Sequence, residues 1–207
     1  MKVSLIRHTL NPEELVGFAA ALCYRGKSLD AARRTAMSSG HESVAEHAVF
    51  TFHVENVSRV LLAQLTRHRL ASYSVESQRY CGVEPVWIVP EKVRQHGFEL
   101  SFLDRCNSCY ALFCDMVKCG VPDEDARYAI PQAVSCDLLV TMNVRELRHF
   151  FGLRCCNRAQ WEIRNMADEM LKQCAEIAPG LFWDSGPGCV RGRCPEGKKS
   201  CGGKVTR

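Results

Sequence analysis

The segment AQWEIRNMADEMLKQCAEIA, residues 159–178, constrains the fold more than any other. Ile163, Met166, Ala167, Met170, Leu171, Cys174 and Ile177 recur at the spacing of one helical face, with charged residues between them. An apolar stripe this clean has to be covered by a core or by another subunit. The rest of the chain offers elements to cover it. KVSLIRH (2–8) and SCDLLVTMN (135–143) read as strands. So does HAVFTFHVEN (47–56), with Ala48, Phe50, Phe52 and Val54 on one face and Val49, Thr51 and His53 on the other. PEELVGFAAALCY (12–24) begins with proline in a first helical turn. SLDAARRTAMSSG is a helix capped by Ser28 and closed by Gly40. SRVLLAQLT (58–66) is a short helix, and residues 92–119 are helical with a break near Gly97. VRELRHFFGL is a helix ending near Gly152, with Asn143 placed to cap its start.

At 207 residues and 46% hydrophobic content, the chain suits one domain with an appendage: a body over 1–183 and a tail over 184–207. No apolar run approaches the ~18 residues of a membrane span. The N-terminal MKVSLIRHTLNPEEL has neither a long apolar stretch nor a small-residue cleavage site, so a cytoplasmic protein without a membrane partner is expected. The net charge of +4 is uneven. Residues 187–207 hold six cations against Glu196, a net of +5, which leaves −1 for the remainder. Global basicity is therefore no argument for nucleic-acid binding.

Thirteen cysteines cannot all pair with one another. Cys106, Cys109, Cys114 and Cys174 sit at helical spacing among apolar residues, where a reduced thiol packs as a small hydrophobe. CNSC (106–109) is a single close pair without a second and reads as packing. From Asp184 the composition turns to Gly, Pro, Lys and Cys, which builds no core, so a flexible tail is expected. Cys189, Cys194 and Cys201 lack paired CxxC elbows, and no metal is assigned to them. A metal-binding or redox-sensing appendage is the competing reading.

The chemistry concentrates in RHRLASYSVESQRY (67–80), which holds three arginines, one histidine and three serines against the single carboxylate of Glu76. Guanidinium forks match phosphate oxygens bidentately, and serine hydroxyls and backbone amides add further ligands. The spacing leaves two readings open, an anion or nucleotide site and a solvated charged face. A second cationic group follows: Arg127, then NVRELRHFFGLR (143–154), where Arg145 and His149 share a helix face and Arg154 stands just past the helix end. His149 alone reads equally as a surface or a satisfied core histidine.

RHRLASYSVESQRY contains R-H-R-x-x-S-x-x-x-x-S-x-R and resembles the signature of flavin-dependent thymidylate synthases. GHESVAEHAVFTFHVENVSRVLLAQLTRHR, RYAIPQAV, TMNVRELRHFFGLR and AQWEIR resemble the family's flanking blocks in order, over about residues 1–183. The resemblance implies an α+β fold, a mixed sheet flanked by helices, in a homotetramer with active sites at subunit interfaces. It implies methylation of deoxyuridine monophosphate (dUMP) to thymidylate. The one-carbon unit comes from 5,10-methylenetetrahydrofolate, and the hydride comes from FAD reduced by NADPH.

Carried onto this chain, the resemblance puts Arg67, His68 and Arg69 at FAD, with Arg67 also facing the nucleotide. His41 lines the flavin ring, Ser43 reaches a neighbouring subunit's flavin, and Asn143, Arg145 and His149 form a second flavin-binding group. Gln64, Arg127 and Arg154 contact substrate, together with the run Val75, Glu76, Ser77, Gln78 and Arg79. Val75 also falls at the cofactor. Ser74-Val75 replaces an Asn-Glu common in the family, so backbone contacts are what is expected there. Arg154 is the implied catalytic residue, polarising the uracil ring. Ordinary thymidylate synthases add a cysteine to that ring. Here the signature has none, and Cys155 and Cys156, next to Arg154, lie where the family pattern puts no nucleophile. Two rival readings are a non-catalytic nucleotide- or RNA-binding protein, of which an RNA binder would add stacking aromatics beyond Tyr73 and Tyr80, and a protein regulated by metal at its tail.

Overall fold

The computed structural model describes residues 1–26 and 28–203; Lys204 and Arg207 of the basic tail lie outside the described residues. The elements follow the hydrophobic pattern. Strand β1 (Lys2–His8) leads to helices α1 (Pro12–Tyr24) and α2 (Leu29–Ser38) and a 3₁₀ turn, Glu42–His47. Then come β2 (Val49–Ser58), α3 (Arg59–Leu65) and β3 (Ala71–Val75). The helices α4 (Glu91–Gln95), α5 (Glu99–Lys118) and α6 (Asp123–Ala126) precede β4 (Ser135–Asn143). After it stand α7 (Val144–Arg154), α8 (Trp161–Ile177) and the single turn α9 (Pro179–Phe182).

The four strands form one sheet in the order β1-β2-β4-β3. The expected mixed sheet is corrected: the strands run antiparallel. Lys2 at the start of β1 pairs with Glu55 near the end of β2, whereas Thr9, just past the end of β1, bonds to Val49 at the β2 start. Thr51 meets Thr141, and the Asn56 amide donates to Asp137, so β2 and β4 run in opposite directions as well. Phe50, Phe52 and Val54 of β2 are buried, as are Cys136, Leu138, Val140 and Met142 of β4. The alternation in β2 slips at Asn56, whose φ of +57° lets Val57 turn inward next.

By contacts the chain divides into two compact units. One comprises Met1–Lys2, Val54–Arg67 and Ser74–Leu138; the other comprises Val3–His53, His68–Tyr73 and the chain from Leu139 onward. The arginine-rich stretch is divided between them. In the second unit α8 buries six of its seven stripe residues, while Ile177 in its last turn is 40% exposed. Two buried arginines brace this unit. Arg33 pairs with Glu13 at 3.1 Å and Asp30 at 2.5 Å, and Gly180 lies so close that a Cβ there would fall 1.8 Å from Arg33 Nη1. Arg148 donates to Glu42, to the Leu181 carbonyl and bidentately to Asp184.

Candidate functional site

Helix α7 organises the site residues of the second unit. Asn143 caps it, its Oδ1 accepting from the Glu146 amide at 2.9 Å, which gives the strand-to-helix corner a fixed geometry. Arg145 and His149 emerge one turn apart on the exposed face, and Arg145 pairs with Glu46. Glu146 points the other way and is buried, as is His68.

These two groups begin a chain of hydrogen bonds. Glu146 Oε1 lies 2.9 Å from His68 Nδ1, and Arg154 Nε donates to His68 Nε2 across 3.0 Å. A guanidinium can only donate, so Nε2 is the acceptor, and the ring proton sits on Nδ1, facing the carboxylate. His68 is thus a neutral imidazole. Burial lowers its pKa from the ordinary value, and the Arg154 charge adds to that, against the opposing pull of Glu146. Tyr73 donates to the His68 carbonyl at 2.8 Å, and Phe150 stands edge-on to the His68 ring at 4.9 Å between centroids. Burial pushes the Tyr73 phenol up, which keeps it a donor. His149, 5.8 Å from His68 between ring centroids, completes the cluster. Ligand atoms of His68, Glu146 and His149 lie within 4.8 Å of one another. The hydrogen bond accounts for the closeness of His68 and Glu146, the ring contact brings His149 beside them, and both His68 nitrogens are already engaged.

Arg154 is the last residue of α7, not a residue beyond its end as the sequence suggested. Gly152 does not stop the helix, because a glycine ends a helix by taking a positive φ, and Gly152 is not among the residues that do. His41 and Ser43 are exposed at the 3₁₀ turn, and Arg69 is exposed.

The remaining expected residues belong to the first unit. Gln64 is half-buried on α3 and Arg67 is exposed after it. Val75 ends β3 half-buried, which fits a backbone role. Beyond it the chain turns: the Arg79 amide donates to Ser77 Oγ, and the Tyr80 and Cys81 amides to the Ser77 carbonyl. Glu76 and Gln78 line a cavity of about 170 Å³ with Arg59 and Asp137, and Arg59 donates to the Glu76 carbonyl at 2.7 Å. Arg79 and Arg127 meet through Glu124. Its carboxylate is 3.1 Å from Arg79 Nη2, and its carbonyl accepts from Arg127 Nε at 3.2 Å. Two cations are so gathered on the short helix α6.

Arg67 and Arg69 have no ion-pair partner among the described residues. An exposed guanidinium without a carboxylate partner suits an anionic ligand, so each of these residues is chemically fit to meet the pyrophosphate of a flavin dinucleotide.

Comparison with known proteins decides the family. A family profile described as "Thymidylate synthase complementing protein" matches residues 4–180. The chain belongs to the thymidylate synthase complementing protein family. Among its relatives, a "Flavin-dependent thymidylate synthase" of Geobacter sulfurreducens is 47% identical over 98% of this chain and 94% of its own length. Proteins of the same name are 40% identical in Clostridium tetani, over 98% of this chain and 93% of theirs, and in Pyrococcus furiosus, over 95% and 90%.

Within this member of the family, three residues were not singled out from sequence. Glu146 reads in sequence as the third position of a capping motif after Asn143, and only the fold brings it to His68. Glu124 has no local signal at all. Tyr73 reads in sequence only as an aromatic within the signature, yet its hydroxyl ties that loop to itself.

Proposed function

We propose that this protein is a flavin-dependent thymidylate synthase, converting dUMP to thymidylate with 5,10-methylenetetrahydrofolate as one-carbon donor and NADPH as reductant. The reading rests on the 47% identity to a flavin-dependent thymidylate synthase along 98% of the chain, which includes the arginine-rich signature. FAD, when bound, supplies the hydride. Residues 1–183 form the catalytic domain, and four chains assemble with active sites at subunit interfaces.

The chain's own residues divide the work. Arg67, His68, Arg69, Asn143, Arg145 and His149 hold the cofactor, with His41 at the ring and Ser43 reaching a neighbour's flavin. Arg79, Arg127, Ser77 and Gln78 hold the nucleotide phosphate and sugar, with Gln64, Val75 and Glu76 beside them. Arg154 stabilises negative charge as it develops on the uracil ring, which raises the nucleophilicity of carbon 5. His68 sets the plane of that guanidinium through Nε, and Glu146 fixes the tautomer that lets it do so. No protein thiol needs to add to the ring.

The test begins with the visible spectrum of the purified protein. It should show a bound flavin that bleaches with NADPH without air and yields thymidylate once dUMP and methylenetetrahydrofolate are added. Arg154→Ala should keep the flavin spectrum and lose ~100- to 1000-fold in turnover. A protein that stays colourless after incubation with FAD would remove the function, and near-normal turnover in Arg154→Ala would remove the role of that residue.

A further inference from the structure

The cysteine-rich tail packs in a specific way onto the end of α7. Asp184 at its root is held by Arg148 and also pairs with Arg191 at 3.3 Å. Short 3₁₀ turns follow at Gly188–Arg191 and Gly197–Lys199. The tail folds on itself between them, for a Cβ on Gly188 would lie 2.8 Å from the Pro195 ring. It then returns to the loop after α7. Asn157 Nδ2 is 3.7 Å from Cys201 Sγ, and Arg158 Nη2 is 3.5 Å from the Ser200 carbonyl.

This path brings four cysteines to one place. Cys156, Cys189, Cys194 and Cys201 all line a single cavity of about 320 Å³, whose wall also includes Arg154. None is in a disulfide. Three come from the tail and one from the loop after α7, so the cluster joins two stretches of chain far apart in sequence. Sequence spacing alone could not reveal this, because the fourth thiol precedes the others by 33 residues or more.

We infer that Cys156, Cys189, Cys194 and Cys201 form a binding site for one thiophilic divalent cation, zinc above all, which fastens the tail to the end of α7. Four cysteines are the ligand set of closed, structural zinc sites, where thiolates surround the ion tetrahedrally. Zinc–sulfur bonds of ~2.3 Å put tetrahedral sulfurs about 3.8 Å apart. The four sulfurs are more widely spread than that, since the metal-sized cluster among the described residues is the His68 group. Binding therefore draws the tail inward. Because Arg154 shares the cavity wall, the bound ion also steadies the helix end that carries it.

The full chain, purified under reducing conditions without chelator and reconstituted with Zn²⁺, should retain one zinc per chain through gel filtration. A mercurial reagent should release that zinc from the unaltered protein. Co²⁺ in its place should give the intense visible bands of a tetrahedral thiolate site. Cys189→Ser/Cys194→Ser should lose the metal while keeping its flavin spectrum and circular dichroism. Cys156→Ser should lower occupancy severalfold. Absence of metal from the reconstituted chain would overturn the site. So would zinc that survives the double substitution but is lost in His149→Ala, which would put it at the His68 group. Stoichiometric disulfides among these cysteines in freshly purified protein would also overturn it, in favour of a redox pair.

Discussion

At the scale of single residues, the site turns on one neutral histidine. His68 accepts from Arg154 and donates to Glu146, and protonation of Nε2 would turn an attraction into a repulsion between two cations. The effect on stability has a definite sign. The folded pKa lies below the unfolded value of ~6.5, so between the two the unfolded chain binds the extra proton and stability rises with pH. The contribution is complete above ~6.5 and is lost as pH falls through the folded value. Thermal unfolding of the protein without cofactor should therefore show a fall in Tm as pH drops from 7.5 to 5. His68→Gln, unable to titrate, should have a lower Tm at pH 7.5 but a shallower slope. An unchanged slope in that variant would mean another group carries the dependence. Glu146→Ala strands the Nδ1 proton of a buried ring, at a cost of ~1–3 kcal/mol measured by urea unfolding at pH 7.5. Of this triad the sequence displayed the histidine and the arginine, because cationic residues crowd visibly into motifs. The carboxylate was hidden, since 78 residues separate it from its partner and its local setting has a sufficient explanation of its own.

At the scale of elements, α7 is the strut between chemistry and core. Its exposed face presents Arg145 and His149, its end presents Arg154, and its buried face carries Arg148. That guanidinium is 2% exposed and is satisfied by Glu42, Leu181 and Asp184. Replacing it by Ala leaves Asp184, nearly buried, without its bidentate partner. Arg148→Ala should cost ~3–5 kcal/mol in denaturant unfolding, the range for breaking a buried pair from one side. Arg148→Ala/Asp184→Ala should recover part of that loss, because the more buried of the two carboxylates that Arg148 pairs with is gone and only Glu42 remains. A single variant within 1 kcal/mol of the parent would show the ion pair to be energetically idle. Elements with strong periodicity were legible: α8, β2 and β4 each bury the face that their spacing picks out. Strand β3 was not. ASYSV is half polar and shows no buried side chain, so it is a strand through pairing with β4 rather than by its own composition. The end of α7 is the converse case, since Gly152 reads as a stop in sequence while its backbone simply stays helical.

At the scale of the whole molecule, the open question is whose residues make one active site. The family resemblance assigns Ser43 to a neighbour's flavin, and Ser43 is exposed on its 3₁₀ turn while Arg154 is fixed from within by His68. If each site draws Ser43 from one chain and Arg154 from another, two inactive variants can repair each other. Ser43→Trp blocks the position a chain lends, and Arg154→Ala disables the position it keeps. Dissociated, mixed and reassembled in equal amounts, they should form hybrids in which about one quarter of sites have both wild-type contributors, as symmetric exchange of equivalent subunits requires. Thymidylate formation should then return to about that fraction of the parent rate, in particles that sedimentation shows to be tetramers. Sites made from one chain alone would give no recovery, because every site would carry one defect or the other. Recovery thus separates a shared site from a private one without a bound ligand in view. It reads the assembly through the chemistry, the level at which a sequence pattern is silent, because equivalent residues on different subunits have the same number.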